Sequence, residues 1–509
     1  MLAEIASYLS RSEAISTTGA LILVTVFLSL LSPSPKTTLP LINRRKWFEV
    51  GYTQAGKRYA KDACRLIQAG LAKSPVFAII TDNGPRTVLA SEYATEIRSH
   101  PALSTTGQIE KDFHTHIPAF EPFQQITNEH RFVITPVYKQ LTHNLAAMTQ
   151  RLVDQASSTL QREWTDDPDW HEFTLRPSIL SLISQLSARI LMGEKLCGNP
   201  DWLRITTSYG AHVFRATWDL NLWPAFVRPW VARFLPSCRT TRQLIRTARE
   251  IITPIYRERR MATEAAIQAG QEPEQYDDAM QWMEECANGR PYDPAIAQLG
   301  FAFAAIGTTT DMLTQVLLDL CNRPETVAAL RQEIITVVQQ EGWTKAAMDH
   351  LNLMDSVLKE SQRLKPLLIA TMARLVTEDV QLSNGTVLSK GTSVLVSGQR
   401  MWDPTVYPDP ETFDPYRFLK RRQIPGYETS SLAVSPSPEH LGFSFGNHAC
   451  PGRFFAIHEV KIALCQILLK YDLKLAPGCQ PQFFEQAVTR IASPTARIRV
   501  RRRKEDVSI

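Results

Sequence analysis

The sequence has no paired cysteines. Its eight cysteines lie singly along 509 residues, and no Cys-x-x-Cys occurs. That excludes a disulfide framework and a zinc ribbon, and it fits reduced thiols in a cytosol-facing protein. Net charge is nearly absent too. The 56 basic and 51 acidic residues leave +5, too little over this length for nucleic-acid binding. There is no internal repeat and no low-complexity run. No Gly-x-Gly-x-x-Gly opens a helix after a strand, so nothing suggests a flavin or nicotinamide domain. What is present is 44% apolar residues, enough for a large core.

Charge is missing altogether from residues 14–35, with an apolar centre over 19–31. A helix over 14–31 would reach about 27 Å, close to the thickness of a bilayer core. Lys36, Arg44, Arg45 and Lys46 follow it. The positive-inside rule then puts the rest of the chain in the cytosol. The expected layout is a lumenal segment 1–13, a transmembrane anchor helix 14–32, a hinge 33–50 and one domain over 51–509. Pro33, Pro35 and Pro40 stiffen the hinge. A cleaved signal peptide is the alternative, but no Ala-x-Ala site follows.

The body reads as mainly α with small β-sheets. Helical spacing covers 128–161 and 295–340, the latter broken at Asn322-Arg323-Pro324. Residues 380–388 read as strand–turn–strand around Asn384-Gly385, with a further strand over 392–396. Proline-rich irregular chain is expected over 403–438, then a long helix from Pro451 to about Tyr471.

The strongest signal precedes that last helix: Phe443, Gly446, His448, Cys450, Pro451, Gly452 and Arg453 in one run. Proline suits a first helical turn. The free N–H groups of a helix start favour negative charge, hence a thiolate at Cys450. Gly446 can take positive φ, and Gly452 lets a flat ligand come close, with Phe443 packed beneath it. The plainer reading is a buried structural cysteine. Glu360 and Arg363 share a helix face.

Together Phe443, Gly446, His448, Cys450 and Gly452 resemble Phe-x-x-Gly-x-Arg/His-x-Cys-x-Gly, the heme-ligand signature of the cytochrome P-450 superfamily. The resemblance implies the cytochrome P-450 fold, a single large heme domain behind an N-terminal transmembrane helix, holding heme b. It makes Cys450 the axial iron ligand, whose thiolate favours O–O cleavage. It sets His448 and Arg374 toward the heme propionates. Glu360-x-x-Arg363 matches the family's Glu-x-x-Arg, and Arg417 in 413–418 resembles its partner, completing a buried structural triad. Residues 301–311 resemble the central helix, usually Ala/Gly-Gly-x-Asp/Glu-Thr-Thr. In the best register Thr308 is the threonine that manages protons, with Ala305 in the glycine's place and Gly307 in the acid's; a shifted register makes Gly307 the glycine and Thr310 the threonine, and it also lacks the acid. Asp311, three residues on, is read as a polar residue elsewhere in the helix. Residues 129–139 lack the family's Trp-x-x-x-Arg, so no propionate contact is assigned there.

The aromatic stretch 202–234 corresponds to the family's active-site roof, which leans on the membrane. Phe301, Phe303, Leu368, Ile369, Phe483 and Phe484 fall in regions lining the family's pocket. Segments 39–47, 364–366 and 448–455 resemble fungal natural-product oxygenases, especially those acting on terpenoids. The expected protein is a single-pass endoplasmic reticulum monooxygenase. It takes O2, a lipophilic small-molecule substrate and electrons from an NADPH-dependent flavoprotein reductase, and it meets membrane lipid but no nucleic acid. Lys420, Arg421, Arg422, Arg453 and Lys461 are its candidate docking face. The alternatives are desaturation, coupling or rearrangement on the same fold, or a non-catalytic heme carrier or sensor.

Overall fold

The computed structural model describes residues 37–49, 51–128 and 132–504. The expected anchor helix lies outside them. Nine longer helices carry the mass of the described residues: α1 (Thr53–Leu71), α2 (Leu145–Trp164), α3 (Leu175–Leu191), α4 (Pro200–Asn221), α5 (Pro236–Gln268), α6 (Pro294–Leu320), α7 (Pro324–Glu341), α8 (Asn352–Leu364) and α9 (Arg453–Lys470).

The main sheet has six strands, numbered with the rest in chain order. It contains β1 (Leu41–Ile42), β2 (Val76–Thr81), β3 (Gly84–Leu89), β4 (Leu103–Ser104), β6 (Ala370–Val376) and β9 (Ser393–Ser397), in the order β1-β2-β3-β9-β6-β4. Between them in sequence come β5 (His171–Thr174), β7 (Val380–Gln381) and β8 (Val387–Leu388). The pair β7–β8 is the expected hairpin, with Gly385 at φ +84° and the Asn384 side chain accepting from the Thr386 amide. The chain closes with β10 (Tyr471–Leu475), β11 (Phe484–Gln486), β12 (Thr489–Ile491) and β13 (Arg497–Arg502). The basic run near the C-terminus is thus the middle strand of the sheet β10-β13-β5.

Part of the expected hinge is built into the main sheet. Leu41 and Ile42 pair in parallel with Ala78 and Ile79, and Asn43 donates to the Ala55 and Ile80 carbonyls. These backbone partners tie down a stretch whose prolines suggested only stiffness.

α6 is apolar nearly all round, which makes it a buried helix. Among the described residues it is the one helix long and apolar enough to cross a membrane, and most of it is buried in the core. Asp293 caps it, accepting from the Ala295 and Ile296 amides, with Pro294 in the first turn. It packs against α3, α4, α5 and α9. The stretch 128–161 is less regular than its spacing suggested. A π turn spans Val137–Leu141, just after Pro136, and Thr142 closes back on the Val137 carbonyl. α2 begins only at Leu145.

Candidate active site

Cys450 lies in the turn just before α9. A short 3-10 turn, Gly446–His448, leads into it, and the Phe443 carbonyl accepts from the Cys450 amide at 2.9 Å. Gly446 has φ +79°, and a Cβ there would lie 2.5 Å from Arg98 Cβ. Conformation and close approach both require glycine. Phe443 packs against the main core, and His448 is exposed on the 3-10 turn.

Burial holds the Cys450 thiol above its ordinary value. The Gly452 and Arg453 amides hydrogen-bond to it and, with the Arg453 charge, push the other way. The loop supplies donors of the sign a thiolate needs, and a metal cation at the sulfur would add to them.

The facing element is α6. Ala304, Gly307 and Thr308 share one helix face and are exposed, although Ile306, Thr309 and Thr310 are buried. An open stripe halfway along a core helix is the lining of an internal space. A Cβ on Gly307 would meet nothing within 4 Å, and the same holds for Gly452. The Thr308 hydroxyl donates to the Ala304 carbonyl at 2.9 Å. Asp311 does not reach that space: it is buried and its Oδ1 accepts from the Ala492 amide at 2.8 Å. Burial raises its carboxyl to about 6.

Arg374 is buried in β6, opposite Val394. Two residues on, Val376 packs in the cluster that Phe445 of the cysteine loop also joins. The alternation of a strand puts Arg374 on that same sheet face. Met372 takes φ +53° in the irregular step of β6 between Thr371 and Arg374. Arg374 Nη1 donates to the Ala373 carbonyl at 2.8 Å, while Nε and Nη2 are buried without a partner. Burial pulls the group down to about 10. An orphaned buried guanidinium calls for an anion. Open space at two glycines, a stripped α6 face, sulfur-directed amides and this guanidinium together fit a flat iron porphyrin with carboxylate arms.

Glu360, Arg363 and Arg417 meet as expected. Arg363 grips Glu360 with two bonds of 2.8 and 3.0 Å, both side chains fully buried, and Arg417 Nε is 3.0 Å from Glu360 Oε1. The two arginines then hold backbone. Arg363 donates to the carbonyls of Met401 and Pro410, and Arg417 to those of Pro408, Asp409 and Thr412.

A second clamp has no signature in the sequence. Lys359 is buried and donates to the carbonyls of Leu432 (2.8 Å) and Ser435 (2.7 Å). Burial lowers its ammonium to about 7. Arg453 donates to Val434 O at 3.0 Å and Cys450 O at 2.8 Å. Segment 432–435 is thus held between α8 and the cysteine loop. These acceptors are carbonyls, which leave no trace in a sequence. Arg453 therefore leaves the candidate docking face. So do Lys461, buried against Asp355, and Arg421, paired with Glu439. Lys420 remains exposed there, and Arg422 is half-buried against Asn352.

Of the expected pocket residues, Phe303 alone joins an aromatic roof. Its ring centroid is 4.8 Å from Phe123, 5.6 Å from Phe214 and 6.3 Å from Tyr209, and Phe113 stacks on Phe123 at 3.9 Å. Phe301 turns into the core, Ile369 packs with the α1 cluster, and Leu368, Phe483 and Phe484 are exposed. Helix phase and sheet face, not sequence region, decide which side chain faces the space.

The fold and the site define a heme-thiolate protein, and the chain belongs to the cytochrome P450 family, whose model matches residues 33–501. It is a monooxygenase of that family, and its cofactor is heme b. Members use O2, a redox partner and a small-molecule substrate. The chain is 48% identical over 506 residues to cytochrome P450 monooxygenase adrA of Penicillium rubens, covering 98% of each chain. It is 47% identical to cytochrome P450 monooxygenase trt6 of Aspergillus terreus, over 91% of this chain and 94% of that one. It is 43% identical to cytochrome P450 monooxygenase pyr3 of Aspergillus fumigatus, over 94% and 92%. Its fold is similar to that of a retinoic acid bound cyanobacterial CYP120A1, with TM-score 0.65 and 18% identity over 91% of this chain and 99% of that one.

Proposed function

We propose that this protein is a membrane-associated monooxygenase that inserts one oxygen atom from O2 into a lipophilic substrate, a terpenoid or related fungal secondary metabolite. The observation that carries the reading is the open stripe Ala304, Gly307 and Thr308 on an otherwise buried helix. Cys450 would ligate the heme iron, Arg374 and His448 would hold the carboxylate arms, and Phe443, Gly446 and Gly452 would shape the seat. Bound heme supplies dioxygen activation, with electrons from an NADPH-dependent flavoprotein reductase. Thr308 Oγ1 holds and passes protons at the open face. Gly307 occupies the acid's position and Asp311 is spent on Ala492, so proton relay to the hydroxyl runs through water. The aromatic roof around Phe303 excludes bulk water and orients an apolar body.

The membrane reading is supported by exposed Trp47, Phe48, Phe226, Trp230 and Phe234. Both segments are tied to the β2–β3 hairpin: Asn43 donates to Ile80 O, and Arg228 to Asn83 Oδ1. The body lies on the cytosolic side of the endoplasmic reticulum, with residues 14–32 as anchor and 51–509 as the catalytic unit.

The test is the absorption spectrum of the reduced, carbon-monoxide-bound membrane fraction beside Cys450→Ala. A thiolate-type band lost in the variant is expected. A histidine-type band, or none in folded protein, would sink the assignment. Product mass separates the chemistries: insertion adds one oxygen, desaturation removes two hydrogens. A carrier or sensor would consume no NADPH with substrate.

A further inference from the structure

A second cavity, of about 590 Å³, lies at the C-terminal end of α6. That is an ordinary size for a small-molecule site, roughly 300–1,000 Å³. None of Ala304, Gly307, Thr308, Arg374 or Cys450 lines it. Its wall residue Asp319 is eleven positions beyond Thr308 on α6, about 17 Å of helix.

The charges in its wall do not cancel. Lys365 is matched, its Nζ 2.6 Å from Asp319 Oδ1, while Asp319 Oδ2 accepts from Ser361 at 2.7 Å. Arg490 is matched by Glu485 at 2.7 Å. Arg323 has no carboxylate within 4.0 Å among the described residues. Its Nη1 donates to the Asp319 main-chain carbonyl, and its guanidinium lies over the Phe413 ring, 4.4 Å from the centroid. The remaining acid, Glu411, is exposed, where water and salt screen it. The rest of the wall mixes apolar and aromatic side chains, Ile67, Leu364 and Trp402 among them, with the polar Gln68, Ser397 and Gln399. Trp402 and Phe483 flank the Arg490 guanidinium, at 5.9 and 5.3 Å from their centroids.

We propose that this cavity is a second ligand site that takes a lipophilic carboxylate. The acid group pairs with Arg323, and the apolar body lies against Phe413, Trp402 and Phe483. With Arg323 Nη1 on the Asp319 carbonyl, its Nε and Nη2 make no hydrogen bond among the described residues, and that edge is the one a carboxylate can meet with two parallel hydrogen bonds. The site does not depend on which substrate the reaction cavity accepts. It borders the strands that frame that cavity, because the β11–β12 hairpin is bonded to the α8–β6 turn through Ile369 N to Val488 O and Arg490 N to Leu367 O.

The experiment uses the full heme-loaded chain and 11-bromoundecanoate below its micelle concentration, since a brominated tail quenches nearby tryptophan. Saturable quenching is expected in the wild type and not in Trp402→Phe. Arg323→Gln and replacement of the acid by 11-bromoundecanol should each weaken binding about tenfold or more. Arg323→Lys, which keeps the charge but loses the fork and the stacking, should fall between the wild type and Arg323→Gln. Heme absorption should stay unchanged at saturation. Equal quenching in Trp402→Phe, an alcohol that binds as tightly as the acid, or a parallel shift in heme absorption would each overturn the proposal. So would equal losses in Arg323→Lys and Arg323→Gln.

Discussion

Thr308 and Asp311 sit three residues apart on one helix and do different work. Thr308 faces the open space, and Asp311 fastens the segment after β12 through the Ala492 amide. Thr308→Ala should lower kcat by about 10²-fold, measured as product formed, because a positioned proton carrier is lost. Asp311→Asn should leave kcat in place and change stability instead. Burial lifts Asp311 to about 6, above the ~3.9 of an unfolded aspartate. Between those values the folded chain holds the extra proton. The group's contribution to stability is thus fully present below the unfolded value and lost as pH rises through 6. Asparagine removes that slope, and urea midpoints measured across the window check it. Spacing alone showed the two residues as neighbours, and only burial tells them apart.

At the scale of elements, the Glu360–Arg363–Arg417 triad links α8 to irregular chain. Removing one member of a buried pair costs about 3–5 kcal/mol. Arg363→Ala should therefore fold poorly and lose heme. Arg417→Ala, whose side chain is 10% exposed, should be milder, and thermal denaturation with heme content ranks the two. Much of this level was legible. The β7–β8 turn follows from Asn384-Gly385, the α6–α7 break from Pro324, and the triad from spacing plus resemblance. The Lys359 and Arg453 clamps were not legible, because each ends on a main-chain carbonyl.

For the whole molecule, the proposed membrane contact rests on the exposed aromatic segments near the β2–β3 hairpin. In a chain beginning at Thr37, Phe226→Ser, Trp230→Ser and Phe234→Ser together should weaken vesicle binding. Each such side chain gains about 1.5–3 kcal/mol on full burial. Even half of that over three residues is about 10²-fold in affinity. Sedimentation with phospholipid vesicles measures it, and an unchanged affinity would place the contact elsewhere. Composition announced one large helix-rich body. It did not announce that the stretch just before α1 is a sheet strand, since two short apolar residues carry no period of their own.

The irregular chain between β9 and the cysteine loop is held by its carbonyls: Met401, Pro408, Pro410, Thr412, Leu432, Val434 and Ser435 each accept from a side chain outside the 432–435 strap or its neighbouring turn. A carbonyl is the same whatever residue bears it. Many of those accepting positions are therefore free to drift in evolution while the shape around the sulfur persists, and the burden of inheritance falls on the few cationic side chains that reach in to hold them.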